Sequence, residues 1–517
     1  MLIQKSVRQG KKVIHQTLAN ITKWPEQVIE AIEFALKGGN VKELQEINGF
    51  IEKQGKAYGA LKVIVEIAKR LGIREVLGRG KTGILTMIMI AGMIITQKSR
   101  WHIANYWVKD EAIEEVLGFK ERFDEDDLYE TLAWLSKNQG KIEDKLWQRR
   151  IKERPEELNS LFLYDVTKEY VEGEQNELAE YGRMAGGVKG KKVIAIGLLT
   201  DKDGDPLTVE VFKGNTSDHK TVIEQLKKIR EHYGTKRIVF VGDRGMLKSQ
   251  QIEEITKEPD RWNYITAITK PQIEGLINDE IIQLDMFDNS LCEVENEGIR
   301  YILRKNPMRA EEIRRNLEER IKYIEKVVGA KNEYLDKHKK AKREIAQKNL
   351  NAEIEKRQLS KIITLEYDQG FRVKINEGAK EEVLRLAGCY VIKTDVPKKD
   401  LSKEDAHARY KDLTKVEHAF EIIKTGLLRI HPIHVRKEES VRGHVFVCML
   451  AYKITHYIES KLKDSGYPLR YIIETLDKIQ YRELIFKSHT LKKLPDILSE
   501  DQTAILNGLG IKTPFQL

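Results

Sequence analysis

The sequence predicts a mixed-sheet α/β (α+β) core that follows a helical N-terminal region and is interrupted by a long insertion. Three observations carry this prediction. Apolar residues recur at three- and four-residue steps through residues 1 to about 150. Short continuous apolar runs begin at Asn159, three of them joined by short turns before helical segments alternate with them. A charged helical stretch, residues 308–358, then separates this region from a further helix.

In the N-terminal region the helical runs are 27–37, 41–53, 61–71 and 126–138, the last with Leu128, Leu132 and Leu135 on one stripe. Residues 84–95 (ILTMIMIAGMII) are wholly apolar or small, yet number about 12 where a spanning helix needs roughly 20. Lys81 and Lys98 flank them, and the reading is a buried helix.

The strands of the core are expected at 161–167 (LFLYDVT), 193–199 (VIAIGLL), 207–212 (LTVEVF), 237–241 (RIVFV) and 262–268. Helices are expected at 217–233, where Val222, Leu226 and Ile229 form a stripe, and at 248–257. Beyond Lys270 come short strands at 281–287, 291–295 and 299–304, the long helical arm, and a hairpin at 362–367 and 371–375 around Asp368-Gln369-Gly370. Residues 301–360 hold 17 Lys/Arg and 10 Asp/Glu, so the arm carries +7 of the chain's net +9. A solvated helix face and a phosphate-contacting arm both fit that surplus.

At 517 residues, the chain has room for about three domains. We expect a helical N-terminal region at 1–155, a core in two parts at 156–270 and 386–460, an insertion at 271–385, and a helical C-terminal region at 461–517 that could serve dimerisation. Hydrophobic residues at 41% and charged residues at 33% fit a globular protein and exclude a disordered chain. Cys292, Cys389 and Cys448 are far apart and form no Cys-x-x-Cys pair, which argues against a disulfide framework and a structural zinc cluster. The basic N-terminus leads into no apolar segment or cleavage site, so a cytoplasmic protein without a membrane partner is expected. The pI near 9.0 permits a polyanionic partner.

Asp165 lies inside the first core strand, where an uncompensated carboxylate is costly to bury. Asp243 directly follows the fourth strand in VFVGDRGM, at the edge where ligand sites of α/β sheets collect. In many topologies of such a sheet these two strands are neighbours. Each residue alone has a plainer reading, Asp165 as the partner of a buried Arg and Asp243 as a turn former. A third element adds weight, an expected helix at 404–424 with Ser402 and Asp405 as a capping box and Gly426 at its end. Tyr410, Glu417 and Lys424 recur on it at seven-residue steps, on one face. Carboxylates from a strand, a strand end and a helix suit two divalent cations in phosphoryl transfer, with a neighbouring Lys and Tyr available to hold the phosphate.

The spacing Tyr410-x2-Leu413-x3-Glu417-x6-Lys424 resembles the Tyr-Arg-Glu-Lys signature of bacterial insertion-sequence DDE transposases. So do YDVT (164–167), VIAIGLLTDKDGDPL (193–207), FKGNTSDHKT (212–221), VGDRGM (241–246) and GLLRIHPIHVRKEESVRGHVFVCMLAY (426–452), in that order. The resemblance covers roughly residues 161–452. It implies an RNase H-like fold with Asp165, Asp243 and Glu417 as a catalytic, metal-binding triad. The 173 residues between Asp243 and Glu417 (417 − 243 − 1) then correspond to an insertion domain.

Leucine at 413 replaces the signature Arg, so that phosphate contact is missing or moves to Lys411 or Lys415. Tyr410, Lys424 and Arg244 are the further expected DNA contacts. As plainer readings, Tyr410 is helix packing and Lys424 a partner of the helix C-terminus. For Arg429, His431, His434, Arg436 and His444, packing and DNA contact are preferred over metal binding, because no His/Cys quartet exists.

The resemblance further implies two Mg2+ ions, with Mn2+ able to substitute, and double-stranded DNA as partner, both element ends and target. It implies a homodimer when two ends are paired, and association with the nucleoid. A decayed DNA-binding relic and a nuclease without strand transfer are the alternatives. No helix-turn-helix stands out in the N-terminal region, where DNA-end binding is expected.

Overall fold

A computed structural model describes residues 2–9, 12–22, 24, 26–37, 51–155, 159–182, 190–232, 237–257, 262–338, 340–424, 428, 435–486, 489–495 and 497–512. The chain forms two compact units, one of Met1–Ile142, Ile422–Ile430 and Glu439–Leu517, the other of Glu143–Glu421 and His431–Glu438.

The N-terminal part of the first unit is mostly helical but not helical throughout. Strands β1 (Leu2–Gln9) and β2 (Lys12–Asn20) form an antiparallel hairpin, followed by helix α1 (Glu26–Leu36). Ile3, Val7, Val13, Ile14 and Thr17 are β-branched, and their strand preference prevails over the weak helical periodicity. Strand β3 (Ile51–Ala57) takes the end of the run expected as helix 41–53, whose first ten residues lie outside the described ones. Its partner comes from the far end of the chain, a pairing that no local pattern announces. Helices α2 (Gly59–Arg70), α3 (Lys81–Thr96) and α4 (Glu125–Glu153) follow as expected. Leu85, Met87, Ile88, Ile90, Ala91 and Ile94 of α3 are buried, as read for residues 84–95. Among the described residues no single helix is long and apolar enough to cross a membrane.

The second unit is built on one sheet. Strands β4 (Asn159–Tyr170), β5 (Val193–Asp201) and β6 (Pro206–Lys213) form an antiparallel meander. Helix α5 (Asp218–His232) crosses back to β7 (Arg237–Gly242), which pairs parallel to β4. Helix α6 (Ser249–Ile255) then leads to β8 (Asn263–Ala267), parallel to β7. Three antiparallel strands followed by two parallel ones reached through helices is the RNase H-like arrangement that the resemblance implies. Phe162, Tyr164, Leu199, Val222, Leu226, Ile229, Phe240, Trp262 and Tyr264 form its core, with Trp147 from α4. Half-buried Lys228 of α5 ties the layers together through ion pairs to Glu143 of α4 and Glu210 of β6.

After helix α7 (Lys270–Asn278), strands β9 (Cys292–Asn296) and β10 (Ile299–Lys305) extend this sheet. The strand expected at 281–287 is absent. Leu284–Met286 forms a 3₁₀ turn there, in a segment whose Asp285 and Asp288 favour turns over strands. The arm is a helical hairpin, α8 (Pro307–Lys337) and α9 (Arg343–Lys356), capped by the hairpin β11 (Ile363–Tyr367) and β12 (Phe371–Ile375) and followed by helix α10 (Glu377–Arg385). Leu317, Ile321, Ile324 and Val328 of α8 pack with Ala346, Leu350 and Ile354 of α9 in a core of their own. Strand β13 (Cys389–Thr394) returns to the sheet between β8 and β10, giving eight strands in the order β6-β5-β4-β7-β8-β13-β10-β9.

Helices α11 (Lys403–Lys411) and α12 (Leu413–Lys424) follow, then α13 (Glu438–Leu462). In α13, Gly443 is required: a Cβ there would lie 2.0 Å from the carbonyl oxygen of Leu132. The C-terminal stretch, expected to be helical, mixes α14 (Leu469–Asp477) and α15 (Glu500–Gly508) with β14 (Gln480–Phe486) and β15 (His489–Lys493). Strand β14 is the partner of β3, which is what draws this segment out of a helix.

Candidate active site

Alternation along β4 decides which way Asp165 faces. Phe162, Tyr164 and Val166 turn to the apolar core, so Asp165 turns to the opposite face. The parallel register sets Tyr164 opposite Gly242, which brings Asp165 and Asp243, each one residue further on, to the same level of adjacent strands. This level lies at the C-terminal end of β7, as the sequence predicted for Asp243. Gly197 of β5 makes room for the packing of Tyr164: a Cβ at 197 would lie 2.2 Å from the Tyr164 hydroxyl.

Asp165 is half-buried, and its Oδ1 accepts a hydrogen bond of 2.8 Å from the Val166 amide. Burial pushes its carboxyl up to about 7, and the charges of Asp243, Glu417 and Asp218 push in the same direction. The Val166 amide opposes them. Asp243 and Glu417 are therefore close enough to Asp165 to act on it electrostatically. Asp218, at the start of α5, is a fourth carboxylate in this field. Its segment, FKGNTSDHKT, resembles the family without marking this residue for a role.

Asp243 is exposed. Its backbone carbonyl accepts the Met246 amide at 2.9 Å, so the turn-forming reading holds, and its Oδ1 accepts the Tyr410 hydroxyl at 2.9 Å. Burial, and after it the charge and hydrogen bond of Asp243, hold the Tyr410 hydroxyl well above the usual phenol range. Arg244 lowers it in part. Asp243, Arg244 and Tyr410 line a cavity of about 220 Å³ together with Lys270, Cys389 and Tyr390. Lys270 and Tyr390 belong to α7 and β13, elements that only the fold brings to this edge.

The single helix expected over 404–424 is interrupted at Asp412. The Ser402 cap is present, its Oγ accepting the Asp405 amide at 3.0 Å. At Asp412 the winding tightens: its carbonyl accepts the Lys415 amide at 2.8 Å, an i to i+3 bond. Its carboxylate meanwhile holds Arg409 at 2.9 Å and Lys415 at 3.0 Å, one on each side of the break. Tyr410 thus closes α11, whereas Glu417 stands exposed on α12 with Lys424 at its last position. Leu413 is buried in the stripe of Val416, Ala419 and Phe420, so packing accounts for an apolar residue there.

Of the lysines offered in place of the signature Arg, Lys415 is engaged, its Nζ donating to the Lys202 carbonyl at 2.7 Å as well as pairing with Asp412. Lys411 is exposed. Arg300 fixes the approach to α11. This buried side chain pairs with Glu293 at 2.6 Å and donates to the carbonyls of Val396 and Leu401, both at 2.8 Å.

Of the basic residues after α12, Arg429, His431 and His434 lie outside the described residues. Arg436 is exposed, and its carbonyl accepts the Glu177 amide at 3.2 Å. His444 is buried with its Nδ1 3.1 Å from Arg100, a packing role as expected. Among the described residues no group of three or more His, Cys, Asp or Glu side chains stands ready-made around a metal position. By donor chemistry, Asp165, Asp243 and Glu417 fit a hard divalent cation: all three are carboxylates, and the charges of Asp243 and Glu417 raise the proton affinity of Asp165.

A family model described as "Transposase DDE domain" matches residues 158–454. No curated protein matches the sequence. Among solved structures, the chain is similar to a piggyBac transposase in a synaptic complex with hairpin DNA determined by cryo-EM, at 8% identity and a TM-score of 0.38. That match covers 81% of this chain and 78% of the other, and at this score the likeness decides nothing.

Proposed function

The chain belongs to the transposase DDE domain family, whose match takes in more than half of its residues, and from that premise we propose that it binds the ends of its own mobile element, cleaves a phosphodiester bond there with divalent metal, and transfers the freed 3′-hydroxyl to target DNA. The observation that carries this reading is the register of β4 against β7, which sets Asp165 beside Asp243 within the field of Glu417.

Asp165, Asp243 and Glu417 would hold two Mg2+ ions, or Mn2+ in their place. Bound there, the metal supplies a Lewis acid for the phosphate and lowers the pKa of the attacking water. The chain's own residues do the rest. Tyr410 holds the Asp243 carboxylate at one oxygen and leaves the other for ligation. Arg244, exposed beside it, with Lys411 and Lys424 further along, contacts DNA phosphates. Lys415 serves by supporting the 202–205 turn against α12.

In the first step the water oxygen bonds to phosphorus and the bond from phosphorus to the 3′-oxygen breaks, leaving a 3′-hydroxyl and a 5′-phosphate. In the second, that 3′-oxygen bonds to a target phosphorus as the bond from that phosphorus to the target's own 3′-oxygen breaks, and the proton lost by the attacking hydroxyl is balanced by one taken up on the expelled oxygen, which leaves as a 3′-hydroxyl. Pairing two ends calls for at least two copies of the chain. The N-terminal region would supply end recognition.

Excision of a marked DNA segment bounded by the sequences flanking this reading frame tests the proposal. Native protein with Mg2+ excises the segment and yields joined product, and Glu417→Gln does neither. Cleaved ends without joined product would instead identify a nuclease. End binding without cleavage would identify a DNA-binding relic.

A further inference from the structure

The arm formed by α8 and α9 distributes its charges unevenly. Along the first half of α8, Arg309, Arg314 and Arg315 lie within ion-pair distance of Glu312, Glu311 and Glu319, about one turn away. At the far end, where α8 gives way to α9, the sequence runs KHKKAKR over residues 337–343. There Lys337, Lys340 and Lys342 are exposed, and among the described residues none of their three side-chain ammonium groups has an ion-pair or hydrogen-bond partner.

Two exposed aromatic rings stand among these cations. Tyr334, 49% exposed, stacks on His338 at 4.3 Å with the Lys331 ammonium 5.2 Å from its ring. Tyr367, on the β11–β12 hairpin, has the Arg343 guanidinium 3.6 Å from its ring. This end is held in place. The Asn332 side chain donates to the Phe371 carbonyl at 2.8 Å and accepts its amide at 2.9 Å, clamping the hairpin to α8 beside the cations.

Like charges crowded without partners repel one another, and the cluster gains nothing for the fold. A polyanion removes that repulsion, and rings already covered by cations suit a phosphodiester backbone better than an apolar protein face. We propose that this end of the arm, Lys337, Lys340 and Lys342, is a second contact for the backbone of duplex DNA, outside the catalytic cleft. The proposal rests on the reading that the chain acts on DNA. At roughly 1.5 Å per residue, the 31 residues of α8 span about 46 Å. That length permits contact with phosphates about one helical turn, roughly 10 base pairs, from the one being cut.

The test uses the full-length protein with Lys337, Lys340 and Lys342 all changed to Gln, and all changed to Arg. Affinity is measured against salt concentration for a long duplex carrying the element end and for a duplex truncated close to the cleavage point. In the Gln variant three phosphates are no longer neutralised, so the slope of log K against log salt on the long duplex falls by about 2 to 3, and affinity near 0.1 M salt falls at least about tenfold. Binding to the short duplex and cleavage at saturating DNA stay within about twofold, and the Arg variant keeps the native slope. An unchanged slope on the long duplex overturns the proposal and leaves the cations to an acidic protein partner. An equal loss on both duplexes also overturns it. If the native protein binds DNA but does not cut it, the transposase reading fails while the slope still decides the arm.

Discussion

The Tyr410 hydroxyl donates a hydrogen bond of 2.9 Å to the Asp243 carboxylate, joining the helix that leads to Glu417 to the strand end that faces Asp165. A tyrosine whose sequence context suggests a phosphate ligand is here bonded to a member of the proposed triad. The two roles give different kinetics. A phosphate ligand acts on DNA affinity, whereas a residue that orients Asp243 acts on the use of metal.

Tyr410→Phe removes that bond and keeps the ring. A hydrogen bond to a charged group contributes about 1.5–3 kcal/mol, so cleavage at limiting Mg2+ falls roughly 10- to 100-fold. Titrating Mg2+ at saturating DNA checks this: raised metal restores much of the rate, and the DNA affinity changes little.

Gly197→Ala places a methyl group 2.2 Å from the Tyr164 hydroxyl inside the sheet that carries Asp165. Overpacking of this kind costs about 1–3 kcal/mol, seen as a lower Tm. Adding Tyr164→Phe removes the nearest of the conflicting atoms and leaves the ring carbon Cζ at 2.9 Å, so the double variant recovers part of the loss. A double-mutant cycle read by denaturant unfolding measures the coupling.

Arg300→Leu leaves the half-buried Glu293 without its guanidinium partner, with only Lys398 at 3.9 Å, and removes the donor from the Val396 and Leu401 carbonyls that precede α11. Breaking a buried pair costs about 3–5 kcal/mol. Unfolding of Arg300→Leu and of Arg300→Leu/Glu293→Leu checks this, with the double variant the more stable of the two. Cleavage by both falls further than unfolding accounts for, because α11 carries Tyr410.

Stability also depends on Glu111, which is buried in the other unit and accepts the Trp107 indole N–H at 2.9 Å. Burial first, and then the neighbouring Asp477, hold its carboxyl well above the usual range. The folded state therefore keeps a proton that the unfolded state releases. Its contribution is fully present below the ordinary Glu pKa of about 4.3 and is lost as pH rises through neutrality toward the raised folded value. Tm measured across pH should decline over that window in the native protein and decline less in Glu111→Gln.

How much of this was legible in the sequence follows from the range of each interaction. Strands β4 to β8 and helices α5 and α6 came out near their observed limits, because apolar runs and stripes are local signals. Asp165 and Asp243 were legible as carboxylates in unusual places, but their adjacency needed the Tyr164–Gly242 register, which is a tertiary fact. The pairing of β3 with β14, the return of β13 and the entry of Lys270 and Tyr390 into the site were not legible, since each joins segments far apart in the chain. The break at Asp412 was hidden for a different reason. The apolar stripe continues through it, and a single i to i+3 turn leaves almost no mark on periodicity.

In the proposed reaction Asp165, Asp243 and Glu417 act together on a metal-bound phosphate. This is tested most directly by cleavage of a duplex carrying the element end with Mg2+, comparing native protein with Asp165→Asn, Asp243→Asn and Glu417→Gln at matched DNA occupancy. Each variant is expected to bind the duplex with near-native affinity and to lose cleavage by about 10³-fold or more, on the order of 4 kcal/mol of transition-state stabilisation. Cleavage retained within about tenfold by any one of the three, with folding and binding intact, would contradict it.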